Sequence, residues 1–521
     1  MNPVVVPAAP IGTLTDAWRK VVGTGQMVLA LRRDYQDSLA IVQEQIGFEH
    51  IRGHGLFHDW LAIHRTYDVA GFAGTRYSWT YLDQVIDAYL ELGIKPFLEL
   101  GFMPKDLASG EQTIFWWEGN ITPPADYAAW NALVRATLTH LIDRYGREEV
   151  RQWPVEVWNE PSLPTFWQDA DMAEYFRLYD ETARTVKEVD ADLLVGGPAT
   201  APQADDWYLP FAEHTDRSGA PVDFFSFHAY ATGPAQHVPF GTYQTMHGQG
   251  SLLEQFGRPR RLLGDHRLAS VPHHITEFNT SYRPDNPVHD TAYNAAYLAP
   301  TLAGGGDLVD SFSYWTFCDM FEEVGVPTAI FHGGFGLLTH RQIKKPTFHL
   351  YAFMARLGPQ VLARGADHLV TRDSTTGRIA VLAWQPAGGT DDLAEPAAHT
   401  VHLSIPMVST RPQAAYPTTR GGSVYCHRSR VNNEAGNAFT AWQQMGRPVS
   451  PTNRQLELLY DAAEPTVTHW AAPVEPGDSP DGIGRIDLRL DLAQHEVTLV
   501  EIDPVRDETP PWLDDSRIIG R

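Results

Sequence analysis

The sequence predicts an α/β fold, a (β/α)8 barrel with an accessory antiparallel β-sandwich behind it. Eight short apolar runs, each ending in Gly, Pro or a polar residue, recur up to residue 317, with helix-patterned stretches between them. After the helix that begins near Pro346 (PTFHLYAFMARLG) the pattern changes to runs that alternate at period two, the period of a half-buried antiparallel strand. Barrel strands are covered on both faces and therefore read as continuous apolar runs, whereas sandwich strands alternate.

The barrel is assigned to residues 15–345. Its eight runs are KVVGTG (20–25), HIRGHG (50–55), KPFLELG (95–101), PVEVWNE (154–160), DLLVGGPA (192–199), DFFSFHAY (223–230), HHITEFN (273–279) and SFSYWTF (311–317). Between them, Leu82, Val85, Ile86, Tyr89 and Leu90 form one helical stripe within 78–92. Trp130, Leu133, Val134, Leu138, Leu141 and Ile142 form another within 126–145. Residues 34–46 and 169–189 are similar, the second opening on Asp169 or Asp171 as N-cap. The count and the length suit a TIM barrel. A doubly wound sheet is the competitor, but no GxGxxG or P-loop follows any run.

The sandwich is assigned to 346–521 on RIAVLAWQ, HTVHLSIP, GSVYCHRSR, RIDLRLDL and HEVTLVEID, separated by Gly, Pro and Asp clusters. A helical insert near 435–462 (NAFTAWQQM, then NRQLELLYD) interrupts it. Residues 1–14, containing VVVPAAP, are expected to lend a strand to this second domain.

Composition narrows the function. The net charge of −24 disfavours nucleic acid and anionic membranes, which are bound through basic patches. No apolar window reaches the ~18 residues of a membrane span. The opening MNPVVVPAAPIGTLTD lacks a basic n-region and an apolar h-region, so a cytoplasmic location is the expectation. Two cysteines are too few for a disulfide framework or a cysteine metal site. The 15 Trp, 20 Tyr and 23 Phe exceed what a core alone needs, and flat aromatic rings suit the C–H faces of sugars. Trp384, Trp442 and Trp470 of the second domain read as core.

In a barrel the C-terminal strand ends form the active face. Read together they offer His54, Glu99, Asn159, Glu160, His228, Tyr230, Glu277, Asn279 and Trp315, with Glu322 and Glu323 in the following loop. Strand four ends in Trp-Asn-Glu-Pro and strand seven in Thr-Glu-Phe-Asn, so the fold converges two carboxylates on one mouth. Paired acids are the apparatus of glycosidic-bond cleavage: one protonated to release the leaving oxygen, the other ionised to attack. Repulsion from the ionised member is expected to keep the other protonated. A catalytic metal is not expected. His54 and His58 pass from strand end to loop, His273 and His274 open a strand at the opposite face, and HExxH is absent.

The ordered set GTGQMVLALRRDYQDSLAIVQEQIGFEHIRGHGLFHD (23–59), VEVWNEPSLPTFW (155–167), DFFSFHAY, HHITEFN and SYWTFCDMFEE (313–323) resembles glycoside hydrolase family 39, a family of β-xylosidases and α-L-iduronidases. The resemblance implies a retaining hydrolase that needs no cofactor. It makes Glu160 the acid/base, Glu277 the nucleophile and Asn159 the partner of the sugar 2-hydroxyl. It lines the pocket with His54, His228, Tyr230, Glu322 and, more weakly, Glu323, over Trp315 as a floor. In iduronidases a basic residue lies two positions after the strand-six His; here that place is Tyr230. No strand end offers Lys or Arg, so the expected substrate is a neutral one, a short xylo-oligosaccharide cut by an exo-acting β-xylosidase. An iduronidase, an arabinopyranosidase and a catalytically silent sugar-binding protein are the alternatives, and a homo-oligomer is compatible with all of them.

Overall fold

The structure is a computed structural model and describes residues 2–238, 241–389, 399–407, 422–475 and 483–504. The end of the second domain as drawn from the sequence, beyond 504, lies outside the described residues. Eight parallel strands close into a barrel. In chain order they are Val21–Gln26, His50–His54, Lys95–Leu100, Val155–Val157, Val195–Thr200, Phe224–Tyr230, His273–Asn279 and Ser311–Tyr314. Closure is made by strand eight against strand one, with Tyr314 opposite Val22. All eight predicted runs are barrel strands.

Each strand is followed by a helix, and local chemistry sets where the helices start. Asp126 caps Tyr127–Tyr145 by accepting from the Ala128 amide, and Asp171 caps Met172–Val189 by accepting from Ala173 and Glu174. Of the two candidate caps for that helix, Asp171 is the one used; Asp169 lies in the preceding turn at φ 56°. The eighth helix, Pro346–Met354, places Phe348, Leu350, Tyr351 and Phe353 in the barrel's apolar cluster. Gly23 in strand one is required by its neighbour across the closure: a Cβ there would lie 2.3 Å from the Trp315 ring.

Behind the ring, a seven-stranded sheet runs in the order Gly12–Thr13, Gln360–Arg364, His368–Arg372, Ile379–Trp384, Val497–Pro504, Ser423–Val431, Thr466–Pro473. A three-stranded sheet holds Val4–Val5, His399–Pro406 and Arg485–Leu492. Period two does its work in strand 379–384. Ile379, Val381 and Ala383 face the three-stranded sheet's Leu403, Ile405 and Leu488, while Ala380, Leu382 and Trp384 join the cluster shared with the barrel. Two helices, Ala438–Gln444 and Asn453–Ala463, follow strand 423–431, the second opened by a Thr452/Gln455 capping box. No helix among the described residues is long and apolar enough to cross a membrane.

Candidate active site

The strand ends converge on one buried ionic network whose hub is Arg52, on strand two. Its Nε donates to Glu156 Oε2 at 2.6 Å and its Nη1 to Glu277 Oε1 at 3.0 Å. Its Nη2 donates to Asn159 Oδ1 at 2.8 Å and lies 2.9 Å from Glu99 Oε2. Burial opposes the guanidinium's charge, but Glu156, Glu99 and Glu277 outweigh it and raise its pKa. Arg52, Glu99 and Glu156 have no exposed surface. Glu99 in turn holds His54, with Nδ1 2.7 Å from its Oε2. Burial pushes the Glu99 carboxyl up, yet His54 and Arg52 together hold it below the usual carboxylate range.

Glu277 is gripped from both sides. Besides Arg52 on Oε1, the Tyr230 hydroxyl donates to Oε2 at 2.8 Å. Glu160 has a different setting. Its Oε1 shares a 2.8 Å hydrogen bond with His228 Nδ1, and its carboxyl is pushed up to about 7. Burial leads that rise, with Glu99 adding to it and His54 and Arg52 opposing. From the sequence, repulsion from Glu277 is the expected cause; here desolvation and Glu99 raise the carboxyl instead. Burial also lowers His228 to about 4, against the pull of Glu277, so the imidazole is neutral at pH 7.

One ligating atom each of Glu160, His228 and Glu277 lie within 4.8 Å of one another. Inverting pairs are held ~6.5–9.5 Å apart and retaining pairs ~5–5.5 Å, so the closest approach of these two carboxylates lies well short of the inverting range. The backbone delivers it under strain. Trp158 at φ 72° and Glu160 at φ 43° occupy the left-handed region, at about 1–3 kcal/mol each for side chains of this kind. The Glu160 amide donates to the Ala199 carbonyl at 2.8 Å, and Trp158 Nε1 to the Phe166 carbonyl at 2.8 Å, which fix the turn.

Trp315 lies almost fully buried, its ring 4.7 Å from His54 and beneath the Arg52 guanidinium. Within this network Asn159 Nδ2, His228 Nε2 and Glu99 Oε1 are buried without a hydrogen-bond partner among the described residues. Glu323 joins from loop eight, its Oε1 3.8 Å from His54 Nε2. Burial, then Glu277 and Glu160, hold its carboxyl well above the ordinary value. The Trp116 amide donates to the Glu323 carbonyl at 2.7 Å, so loops three and eight meet across the mouth of strands one and two.

Glu322 goes elsewhere. At φ 62° it turns away from the pocket, and its Oε1 meets Arg32 Nη1 at 2.6 Å. The pocket contact expected of Glu322 is made by its neighbour Glu323. Asn279 donates from Nδ2 to the Trp315 carbonyl at 2.6 Å and serves the strand ends.

The profile of "Glycosyl hydrolases family 39" matches residues 3–477. The chain belongs to this family. A protein named beta-xylosidase from Geobacillus stearothermophilus is 45% identical over 523 residues, covering 99% of each chain. A second beta-xylosidase, from Caldicellulosiruptor saccharolyticus, is 36% identical over 87% of this chain and 90% of that protein. The crystal structure of a monomeric beta-xylosidase from Caulobacter crescentus CB15 superposes with a TM-score of 0.83 at 33% identity, covering 96% of this chain and 100% of that one.

In this family 39 hydrolase the site residues that strand-end reading omits are Arg52 and Glu156, both inside strands. The signal for them is period two. Arg52 shares the inward face of strand two with His54, and Glu156 is a lone acid between Val155 and Val157. A charge on the interior face of a barrel strand persists only with a buried partner.

Proposed function

We propose that this family 39 hydrolase is an exo-acting β-xylosidase that works with retention of configuration. Glu277 attacks the anomeric carbon, the glycosidic C–O bond breaks, and the leaving oxygen takes the proton of Glu160. Glu160, now ionised, then takes a proton from water, whose oxygen displaces Glu277 from the same carbon. Arg52 and Tyr230 hold the nucleophile; Asn159 Nδ2 donates to the sugar 2-hydroxyl; neutral His228, His54 and Glu323 bind the remaining hydroxyls over Trp315. A protonated Glu323 donates a hydrogen bond, which a carboxylate cannot do.

The observation that carries the neutral sugar is the occupation of Arg52. This buried cation is engaged by Glu156, Glu99 and Glu277 and leaves no free charge for a uronate. Arg283, the cation that faces Glu323, is paired with Asp285 at 3.1 Å. The name borne by the 45%-identical relative supports the same substrate. A cytoplasmic setting belongs to this proposal and is compatible with its two cysteines, which are free and buried. The test is hydrolysis of p-nitrophenyl β-D-xylopyranoside beside 4-methylumbelliferyl α-L-iduronide. Turnover of the xyloside alone is expected; turnover of the iduronide alone would sink the pocket reading.

Two further outcomes are expected. Glu160 must hold its proton for the first step, so kcat/KM should fall as pH rises through about 7. A Glu160→Ala variant should lack that alkaline limb and keep its rate best on substrates with strongly acidic leaving groups. Asn159→Ala should lower kcat/KM about a hundredfold, because contacts to the 2-hydroxyl strengthen in the transition state. A 2-deoxyxyloside, tested on both proteins, should show a far smaller difference between them.

A further inference from the structure

Loop eight, residues 315–345, delivers Glu323, and its two halves are held by different parts of the molecule. The base belongs to the barrel. Phe317 donates to the Gly23 carbonyl, Leu337 to Thr316, and Asp319 to Leu338. Lys345, fully buried, binds Asp290 at 2.7 Å and Asp319 at 2.8 Å and ties the returning strand down. Residues 324–332 form the far half, and among the described residues they make no backbone hydrogen bond to the barrel.

Their buried apolar side chains are Ile330 and Phe331, and these lie outside the barrel's cluster. They pack instead with Ile343 on the loop's return and with Ala438, Trp442, Leu459 and Ala463 of the helical pair 438–463, Phe331 lying 5.5 Å from the Trp442 ring and 5.7 Å from Phe439. Polar contacts extend the junction: Tyr460 donates to the Arg341 carbonyl at 2.6 Å, and Lys344 meets Glu464 at 2.8 Å. Val324 and Val326, between Glu323 and this anchor, are exposed and add no grip.

We infer that the helical pair of the second domain is a brace for the glycone pocket, with Trp442 and Tyr460 as positioning residues that act through Glu323. This rests on the reading of Glu323 as a sugar-binding group. Upstream, Glu323 is set by the Trp116 amide and by Phe321, packed on Trp315 and Phe335. Downstream, the next buried side chains are the pair held by the helices. Glu323 binds a hydroxyl away from the reacting carbon and serves ground state and transition state alike, so loosening it raises KM and spares kcat.

The test is a double-mutant cycle on p-nitrophenyl β-D-xylopyranoside, with Trp442→Ala and Tyr460→Phe each made in the wild-type and Glu323→Gln backgrounds. KM should rise about threefold to tenfold for Trp442→Ala in the wild-type background, with kcat little changed, and neither substitution should add to Glu323→Gln. Equal KM increases in both backgrounds, or none in either, would overturn the brace while leaving the pocket intact. A Glu323→Gln enzyme with wild-type KM would overturn the sugar-binding reading of Glu323 itself, and the brace with it. Tyr460→Phe removes one hydroxyl from a half-exposed residue and carries the test if Trp442→Ala does not fold.

Discussion

Glu277→Ala should lower xyloside hydrolysis by about five orders of magnitude while the protein stays folded, the scale seen when a nucleophile that acts in concert with its partners is removed. The loss follows from the proposed path: without a carboxylate at that point no glycosyl-enzyme would form, and Glu160 would have only bulk water to activate. The cavity left by the side chain lies between Arg52 Nη1 and the Tyr230 hydroxyl, one cation and one donor. That is a good seat for a small anion. Added azide should therefore restore turnover of an activated xyloside, and the product should be α-xylosyl azide, since a single displacement inverts the anomeric carbon. Azide given to Glu160→Ala should produce the β-azide instead, because the nucleophile is still present there. Exchange of these two outcomes between the variants would reverse the assignment of the pair.

Arg52→Met should destabilise the fold by about 3–5 kcal/mol, the cost of leaving buried charge unpaired. Glu99, Glu156 and Glu277 all lose their shared cation; Glu99 and Glu156 have no exposed surface and Glu277 only 5%, so solvent compensates little. The sign of the pH dependence discriminates this from simple cavity formation. In the wild type the depressed carboxyl of Glu99 contributes stability above the unfolded pKa and loses it as pH falls through the folded one. In the variant the orphaned acids prefer to be protonated, so they cost least in acid. The stability gap between the two proteins, measured by urea unfolding, should be widest near neutral pH and narrow toward pH 4. A gap that does not change with pH would mean that packing, not charge, accounts for the loss.

The fold was legible because its strands announce themselves in two ways. Barrel runs such as DFFSFHAY and HHITEFN are buried on both faces and end in polar groups, whereas RIDLRLDL alternates. RIAVLAWQ, apolar throughout, lies between the second sheet and the barrel and so buries both faces. The positions of Glu160 and Glu277 followed from the same endings. What escaped were contacts that depend on distance in three dimensions. Of the adjacent residues Glu322 and Glu323 the sequence favours the first, but a left-handed backbone at Glu322 sends its side chain to Arg32 and leaves Glu323 facing His54. Arg52 lay hidden in the middle of a strand, where a charge looks like an interruption until its three acidic partners from strands three, four and seven are seen around it. The leading cause of the high Glu160 pKa was equally out of reach, since desolvation is a property of the finished cavity.

The pairing of Val4 and Val5 with Leu403 and Ser404 has a consequence for how the molecule is made. The whole catalytic barrel lies between the two partners, so at about 5–20 residues per second the first strand waits on the order of twenty to eighty seconds for its mate to be synthesised. Until then its backbone donors and acceptors are satisfied by water or by whatever chaperone is at hand. The same delay applies to the helices that grip loop eight, which emerge later still. A ribosome-bound chain can therefore assemble its barrel and its catalytic pair while the outer wall of its sugar pocket is unfinished, and full grip on the sugar arrives only with the helical pair 438–463.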